Sequence, residues 1–132
     1  MIVDSSAVVA VILDEPERAA FQALIETTAS VGMAAPGLIE TSMVLATRRG
    51  PAILDLLDEF RREAQIAILP FTETHAIAAR EAFLRYGKGR HRAGLNYGDC
   101  MCYAVARLEG MPLLFKGDDF HFTDIEPALP RP

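Results

Sequence analysis

Met1-Ile2-Val3-Asp4-Ser5-Ser6, followed by the unbroken apolar run of residues 7–13, opens the chain. Ile2 and Val3 are both apolar, so this short strand has no solvent face and belongs inside a covered sheet. The apolar stretch stops at Asp4. Ser5 or Ser6 is then placed to cap a helix over residues 7–13.

The same alternation of short apolar runs with helical spacing continues outward. Asp14-Glu15-Pro16-Glu17 reads as a helix start, with Asp14 as the cap and Pro16 in the first turn. Phe21, Leu24, Ile25 and Thr28 follow at helical spacing. Residues 31–34 form a second strand candidate. Pro36 opens a helix that carries Leu38, Ile39, Glu40, Met43 and Val44 and ends at Arg48-Arg49-Gly50, basic residues before a glycine stop. Pro51 restarts a helix with Ile53, Leu56, Leu57 and Phe60 on one stripe. Residues 66–69 are a buried-strand candidate closed by Pro70, and Thr72 caps the helix after it. A polar loop covers residues 87–94. Residues 97–109 are helical and stop at Gly110; Leu113-Leu114-Phe115 is a further strand, and Ile125 a candidate for a last one. Residues 127–132 read as a loose tail. Short apolar strands alternating with helices predict a single three-layer α/β/α domain over residues 1–126, with a short central, mostly parallel sheet and right-handed crossovers.

Composition agrees with this class. The chain has 132 residues, 51% of them hydrophobic and 23% charged, which excludes a disordered or fibrous chain. Cys100 and Cys102 stand one residue apart on a predicted helix and are poorly placed to bond each other, as expected in a reducing, cytoplasmic setting. The longest apolar run has seven residues, against roughly 20 for a spanning helix, so no membrane partner is expected.

In an open parallel sheet, ligands bind beyond the carboxyl ends of the strands. Asp4 ends the first strand, and Asp118-Asp119 follow the Leu113 strand after a Lys116-Gly117 turn. Asp99 lies in the first turn of its helix, and Glu40 in the first turns of the Pro36 helix among apolar neighbours. Each has a plain structural role open to it, as turn residue, cap or solvated pair. Together they are harder to place without a ligand. Carboxylates that converge repel unless cations neutralise them, and an all-oxygen set suits Mg2+ or Mn2+ rather than zinc. His75, His91 and His121 show no zinc spacing. The net charge of −5 argues against a nucleic-acid partner only if those acids are not neutralised by metal. Arg85, Lys88, Arg90 and Arg92 form a basic run just before the Asp99 helix. It is either a solvated loop or a contact for RNA or for an acidic protein.

Met1-Ile2-Val3-Asp4-Ser5-Ser6, Leu38-Ile39-Glu40, Leu95-Asn96-Tyr97-Gly98-Asp99-Cys100 and Leu113-Leu114-Phe115-Lys116-Gly117-Asp118-Asp119-Phe120 resemble the PIN-domain ribonucleases. More narrowly they resemble the VapC toxins of type II toxin–antitoxin modules. The resemblance runs from Met1 to about Ile125. It implies that Asp4, Glu40, Asp99 and Asp119 line one acidic pocket. Asp4 and Asp99 would hold the main Mg2+ (or Mn2+), with Glu40 and Asp119 completing a second position or orienting water. Asp118 ranks below Asp119. Ser6 is expected to support Asp4, and Asn96 to tune Asp99. The resemblance further implies endonucleolytic hydrolysis of RNA such as tRNA or rRNA, a homodimer, and an antitoxin whose Arg or Lys enters the acidic pocket. The helices over residues 16–28 and 51–63 offer apolar faces for a groove that takes a partner helix. Two other readings share the fold class. A haloacid-dehalogenase-type phosphatase wants a second Asp where Ser6 stands. A non-catalytic binding module would bind no metal.

Overall fold

The computed structural model describes residues 1–131; Pro132 lies outside them. Four short strands form one sheet: β1 (Ile2–Val3), β2 (Gly32–Ala34), β3 (Ala67–Leu69) and β4 (Leu113–Leu114). All pairings are parallel and the order is β3-β2-β1-β4. Ile2 sits between Gly32 and Leu113, so the first strand lies at the centre of the sheet. From β1 the chain builds outward to β2 and β3, then crosses back to place β4 on the other flank. The direction of winding therefore reverses between β1 and β4, where a crevice opens at the carboxyl ends of the two strands.

Six helices cover the sheet: α1 (Ser5–Ile12), α2 (Arg18–Thr27), α3 (Ala35–Arg49), α4 (Ile53–Glu63), α5 (Glu73–Tyr86) and α6 (Tyr97–Glu109). Strand alternation divides the core in two. Ile2, Ala34 and Leu113 face a cluster built from α5 and α6, with Ala82, Tyr86, Leu95, Tyr103 and Val105. Val3, Met33 and Leu114 face the other, with Val8, Phe21, Ile25, Leu45 and Leu57 from the first four helices. No helix among the described residues is long and apolar enough to cross a membrane.

Several local expectations are revised. Neither Ser5 nor Ser6 caps α1. Asp4 does, its side chain accepting from the Ser6 backbone N–H. Asp14 does not cap α2; it adopts a left-handed backbone (φ 58°), and its carboxylate reaches Arg18 at 3.1 Å. The strand read over residues 66–69 is the sheet's edge, with Ala67 exposed and only Ile66 fully buried. A strand outside the central pairs has one backbone edge in water, so an all-apolar run need not be covered on both faces. Ile125 forms no strand: it is buried in the core, and its neighbour Pro127 makes an isolated parallel bridge to Leu113. The stretch expected to be a loose tail is docked through its described part. Ala128 N–H donates to the Leu113 carbonyl at 2.8 Å, Leu129 packs on the second core cluster, and Arg131 pairs with Asp118.

The proposed groove between the second and fourth helices is not open. Phe21, Ile25 and Leu57 are buried in the core, Leu24, Ile53 and Phe60 are partly buried, and Leu56 alone of these is exposed. The free apolar side chains lie elsewhere, at Ile39 and Met43 on α3 and at Ile77, Phe83 and Leu84 on α5.

Candidate active site

The β1/β4 crevice gathers the acids picked out in the sequence. Asp4 leaves β1 directly and is only 6% exposed. Its Oδ2 accepts from the Ser6 N–H at 3.0 Å and from Ser6 Oγ at 2.5 Å. Ser6 Oγ in turn accepts from the Lys116 backbone N–H at 3.0 Å, which ties β4's exit loop to β1's. One strand end thus fixes the other through a single hydroxyl, and the expected contact of Ser6 with Asp4 is present.

Glu40 projects from the second turn of α3 and is half-buried. Its Oε1 accepts a short hydrogen bond from the Ser5 hydroxyl. Its Oε2 lies over Gly98 in the first turn of α6. A Cβ built on Gly98 would overlap that oxygen and stand 3.0 Å from Glu40 Cδ. Glycine leaves the carboxylate its present place; a side chain there would press on the flexible end of Glu40. Gly98 and Ser5 are site residues that sequence reasoning missed. The available signal was a glycine, a weak helix former, in the first turn of a predicted helix beside Asp99.

Asp99 closes a reciprocal cap at the start of α6. Its N–H donates to Asn96 Oδ1 at 2.9 Å, and the Asn96 N–H donates to Asp99 Oδ2 at 3.0 Å. Capping and site membership coexist in this residue. Burial pushes its carboxyl up to about 6; the Asn96 hydrogen bond opposes this, and the negative charges of Asp4, Asp119 and Glu40 add to it. That electrostatic coupling places the four acids in one field. Behind them sits Cys102, whose thiol is pushed well up, first by burial and then by the charges of Asp4, Asp99 and Glu40. Cys100 and Cys102 are both buried free thiols.

Asp119 begins the short 3-10 helix Asp119–Phe122 beyond β4 and is exposed at the mouth. Asp118 is exposed too, but its carboxylate is engaged by Arg131 at 3.2 Å. The basic run is split by the fold. Arg85 reaches Asp124 at 3.4 Å, Arg90 stacks over Phe83, and Arg92 stacks over Phe122. Lys88 is exposed in the loop.

Among the described residues no basic side chain pairs with Asp4, Glu40, Asp99 or Asp119. Nor, among the described residues, do any three His, Cys, Asp or Glu side chains stand as a ready-made cage for an ion. Four carboxylates that share one field without a cation fit a hard divalent metal, with oxygen ligands and no competing soft donor exposed.

Residues 1–126 match the PIN domain family. Ribonuclease VapC36 of Mycobacterium tuberculosis is 47% identical over 127 residues, which cover 96% of this chain and 91% of that protein. Two solved structures share the fold. The sarcin-ricin loop cleaving toxin VapC20 of Mycobacterium tuberculosis superposes with a TM-score of 0.75 at 19% identity, covering 96% of this chain and 98% of the other. A chain of a toxin-antitoxin complex from Klebsiella pneumoniae gives 0.66 at 15% identity, covering 90% and 88%.

Proposed function

The chain belongs to the PIN-domain family and, within it, to the VapC ribonucleases, and from that premise we propose that it is a divalent-metal-dependent endoribonuclease toxin cutting structured RNA such as tRNA or rRNA. The observation that carries the reading is the uncompensated acidic quartet, with Asp99 pushed up to about 6 at its centre. Asp4, Asp99 and Asp119 would hold Mg2+ or Mn2+, which when bound supplies Lewis-acid activation of water and neutralises charge on the phosphoryl group. Ser6 fixes Asp4 by occupying Oδ2 with two donors. Asn96 fixes Asp99 in the same way through the helix cap. Ser5 occupies Glu40 Oε1, and Oε2, which lies against Gly98, is the oxygen that would orient water and accept its proton. The water oxygen forms a bond to phosphorus as the bond to the leaving ribose oxygen breaks, and no side-chain nucleophile is required.

The activity is held in check by a cognate antitoxin in the cytoplasm. The toxin-antitoxin complex among its structural neighbours and the name of its curated relative support this partner. Antitoxin Arg or Lys at the quartet would supply the missing positive charge. A homodimer accounts for part of the exposed apolar surface on α3 and α5. The test is cleavage of total cellular RNA by the purified chain in Mg2+. Discrete internal cuts that vanish on chelation, together with growth arrest relieved by co-expressing the adjacent reading frame, are expected. Metal-independent cleavage, or none, would overturn the reading. Light scattering reports the dimer.

A further inference from the structure

An acidic cleft repels the phosphates it has to cut, so an RNA strand needs a cationic foothold beside it. Among the cations near the cleft, two are brought to one aromatic ring. Arg85 is not free for this role: Asp124 receives it at 3.4 Å, together with Arg107 at 3.4 Å and the Tyr103 hydroxyl at 2.6 Å. Arg90 lies over Phe83 on α5. Arg92 behaves differently. Its guanidinium stands 4.6 Å from the centroid of Phe122, and that of Arg131, from the docked C-terminal segment, stands 5.2 Å from the same ring.

Two guanidiniums brought to one ring repel each other. The ring's negative face offsets part of that cost, and Asp118 at 3.2 Å from Arg131 offsets more. Arg92 has no ion-pair partner among the described residues and is exposed. The pair therefore keeps net positive charge. Its position matters equally. Phe122 follows Asp119 by three residues in the 3-10 helix Asp119–Phe122, where side chains three apart eclipse. Asp118, which holds Arg131, directly precedes Asp119 in the chain, so both cations attach to the short segment that carries Asp119. Guanidinium is the side-chain group best matched to phosphate, through paired N–H donors.

We propose that Arg92 and Arg131, held side by side on Phe122, form the docking point for the single-stranded RNA backbone next to the scissile phosphate, with Asp118 serving as the tether of Arg131. This rests on the ribonuclease reading above and adds to it the place where the strand is gripped.

The probe is a 5′-fluorescein-labelled, mixed-sequence RNA dodecamer, titrated with the full chain in EDTA and followed by anisotropy at several salt concentrations. Each of Arg92→Gln and Arg131→Gln should weaken binding roughly fivefold at 0.1 M salt and flatten the plot of log Kd against log salt by about 0.7, the counterion share of one single-strand phosphate contact. Arg92→Lys should keep the salt slope. Phe122→Leu retains both charges but removes the platform, and should weaken binding without changing the slope. Unaltered thermal melts establish that each variant folds. An unchanged Kd and slope in both glutamine variants, while the parent chain still binds and cleaves RNA, would overturn this inference alone. A parent chain that neither binds nor cleaves RNA would instead overturn the ribonuclease reading. Variants that lose affinity for the purified antitoxin but not for RNA would assign the patch to the protein partner and also refute the proposal.

Discussion

Two groups of carboxylates lie near the exit of β4 and are treated in opposite ways. Glu15 and Glu17 converge on Lys116, whose ammonium is 2.6 Å from Glu15 and 3.2 Å from Glu17, and Arg48 reaches Glu15 at 3.3 Å. These contacts, led by the Lys116 hydrogen bond, hold the Glu15 carboxyl below its ordinary value. Asp4, Glu40, Asp99 and Asp119 receive no such partner, and Asp99 is displaced in the other direction. Lys116 takes part in both groups. Its backbone N–H supports Ser6 in the cleft, while its side chain turns away to the glutamates. A cation within reach of the quartet is thus drawn off it. Paired acids hold a surface together, whereas unpaired acids that the fold keeps close are reserved for something that arrives later.

The largest test of this contrast is catalytic. Asp4→Ala and Asp99→Ala should each lower RNA cleavage by at least about a hundredfold without unfolding the domain, while Glu15→Gln leaves cleavage near the parent rate. Asp119→Ala should cost more than Asp118→Ala, because Asp118 already has Arg131. Near-parental cleavage by purified Asp4→Ala would remove the quartet's special status. The second test is thermal. A metal that binds only the folded chain stabilises it by about 2.7 kcal/mol at a hundredfold excess over its Kd. Melting in Mg2+ or Mn2+ should therefore lie above melting in EDTA for the parent chain and for Glu15→Gln, and the difference should vanish in Asp4→Ala.

A third, smaller effect concerns pH. The folded chain holds the Asp99 proton more tightly than the unfolded chain, whose Asp titrates near its ordinary value of about 4. The Asp99 contribution to stability in EDTA should accordingly fall as pH rises through the window from about 4 to about 6, then level off. Asp99→Asn removes the penalty. After allowance for solvent screening of a partly exposed group, it should gain on the order of 1 kcal/mol at pH 7 and little at pH 4. Equal gains at both pH values in urea denaturation would locate the effect in packing instead. Glu15→Gln should give the smallest change, and in the opposite sense. Its carboxyl is lowered by folding, so the parent's advantage is present at neutral pH and is lost as pH falls through the folded value. Urea melts of the two proteins should converge in acid.

Much of this contrast was legible before any coordinates. Short apolar runs announced the strands, and proline, glycine and the Thr72 cap marked the helices. The acids could be listed because a carboxylate after a strand, or in a helix's first turn, has few placements in a parallel sheet; the resemblance to the PIN-domain ribonucleases grouped four of them in one pocket and ranked Asp119 above Asp118. What could not be read were relations between residues distant in sequence. Whether Ala67 lay in a central or an edge strand depended on strand order. Whether residues 127–131 were loose depended on the carbonyl of Leu113 in the edge strand β4, which accepts from the Ala128 N–H. Asp14 looked like a cap because Asp commonly caps; the chain spends it instead in a left-handed turn. Ser5 and Ser6 carried equal signals in sequence. Only the approach of α3 sends one hydroxyl to Glu40 and leaves the other with Asp4.

Gly98 bears on how such a chain is disarmed by drift. Every acid of the quartet can persist in an allele that has lost the space Glu40 needs, since one added methyl group at residue 98 would meet its carboxylate. A survey that scores competence by counting acidic residues would pass that allele as armed. For a protein whose activity harms its own cell, a lesion of this kind touches little else: the three nearest atoms the added methyl meets all belong to Glu40, and the reciprocal Asn96–Asp99 cap makes no use of a side chain at residue 98.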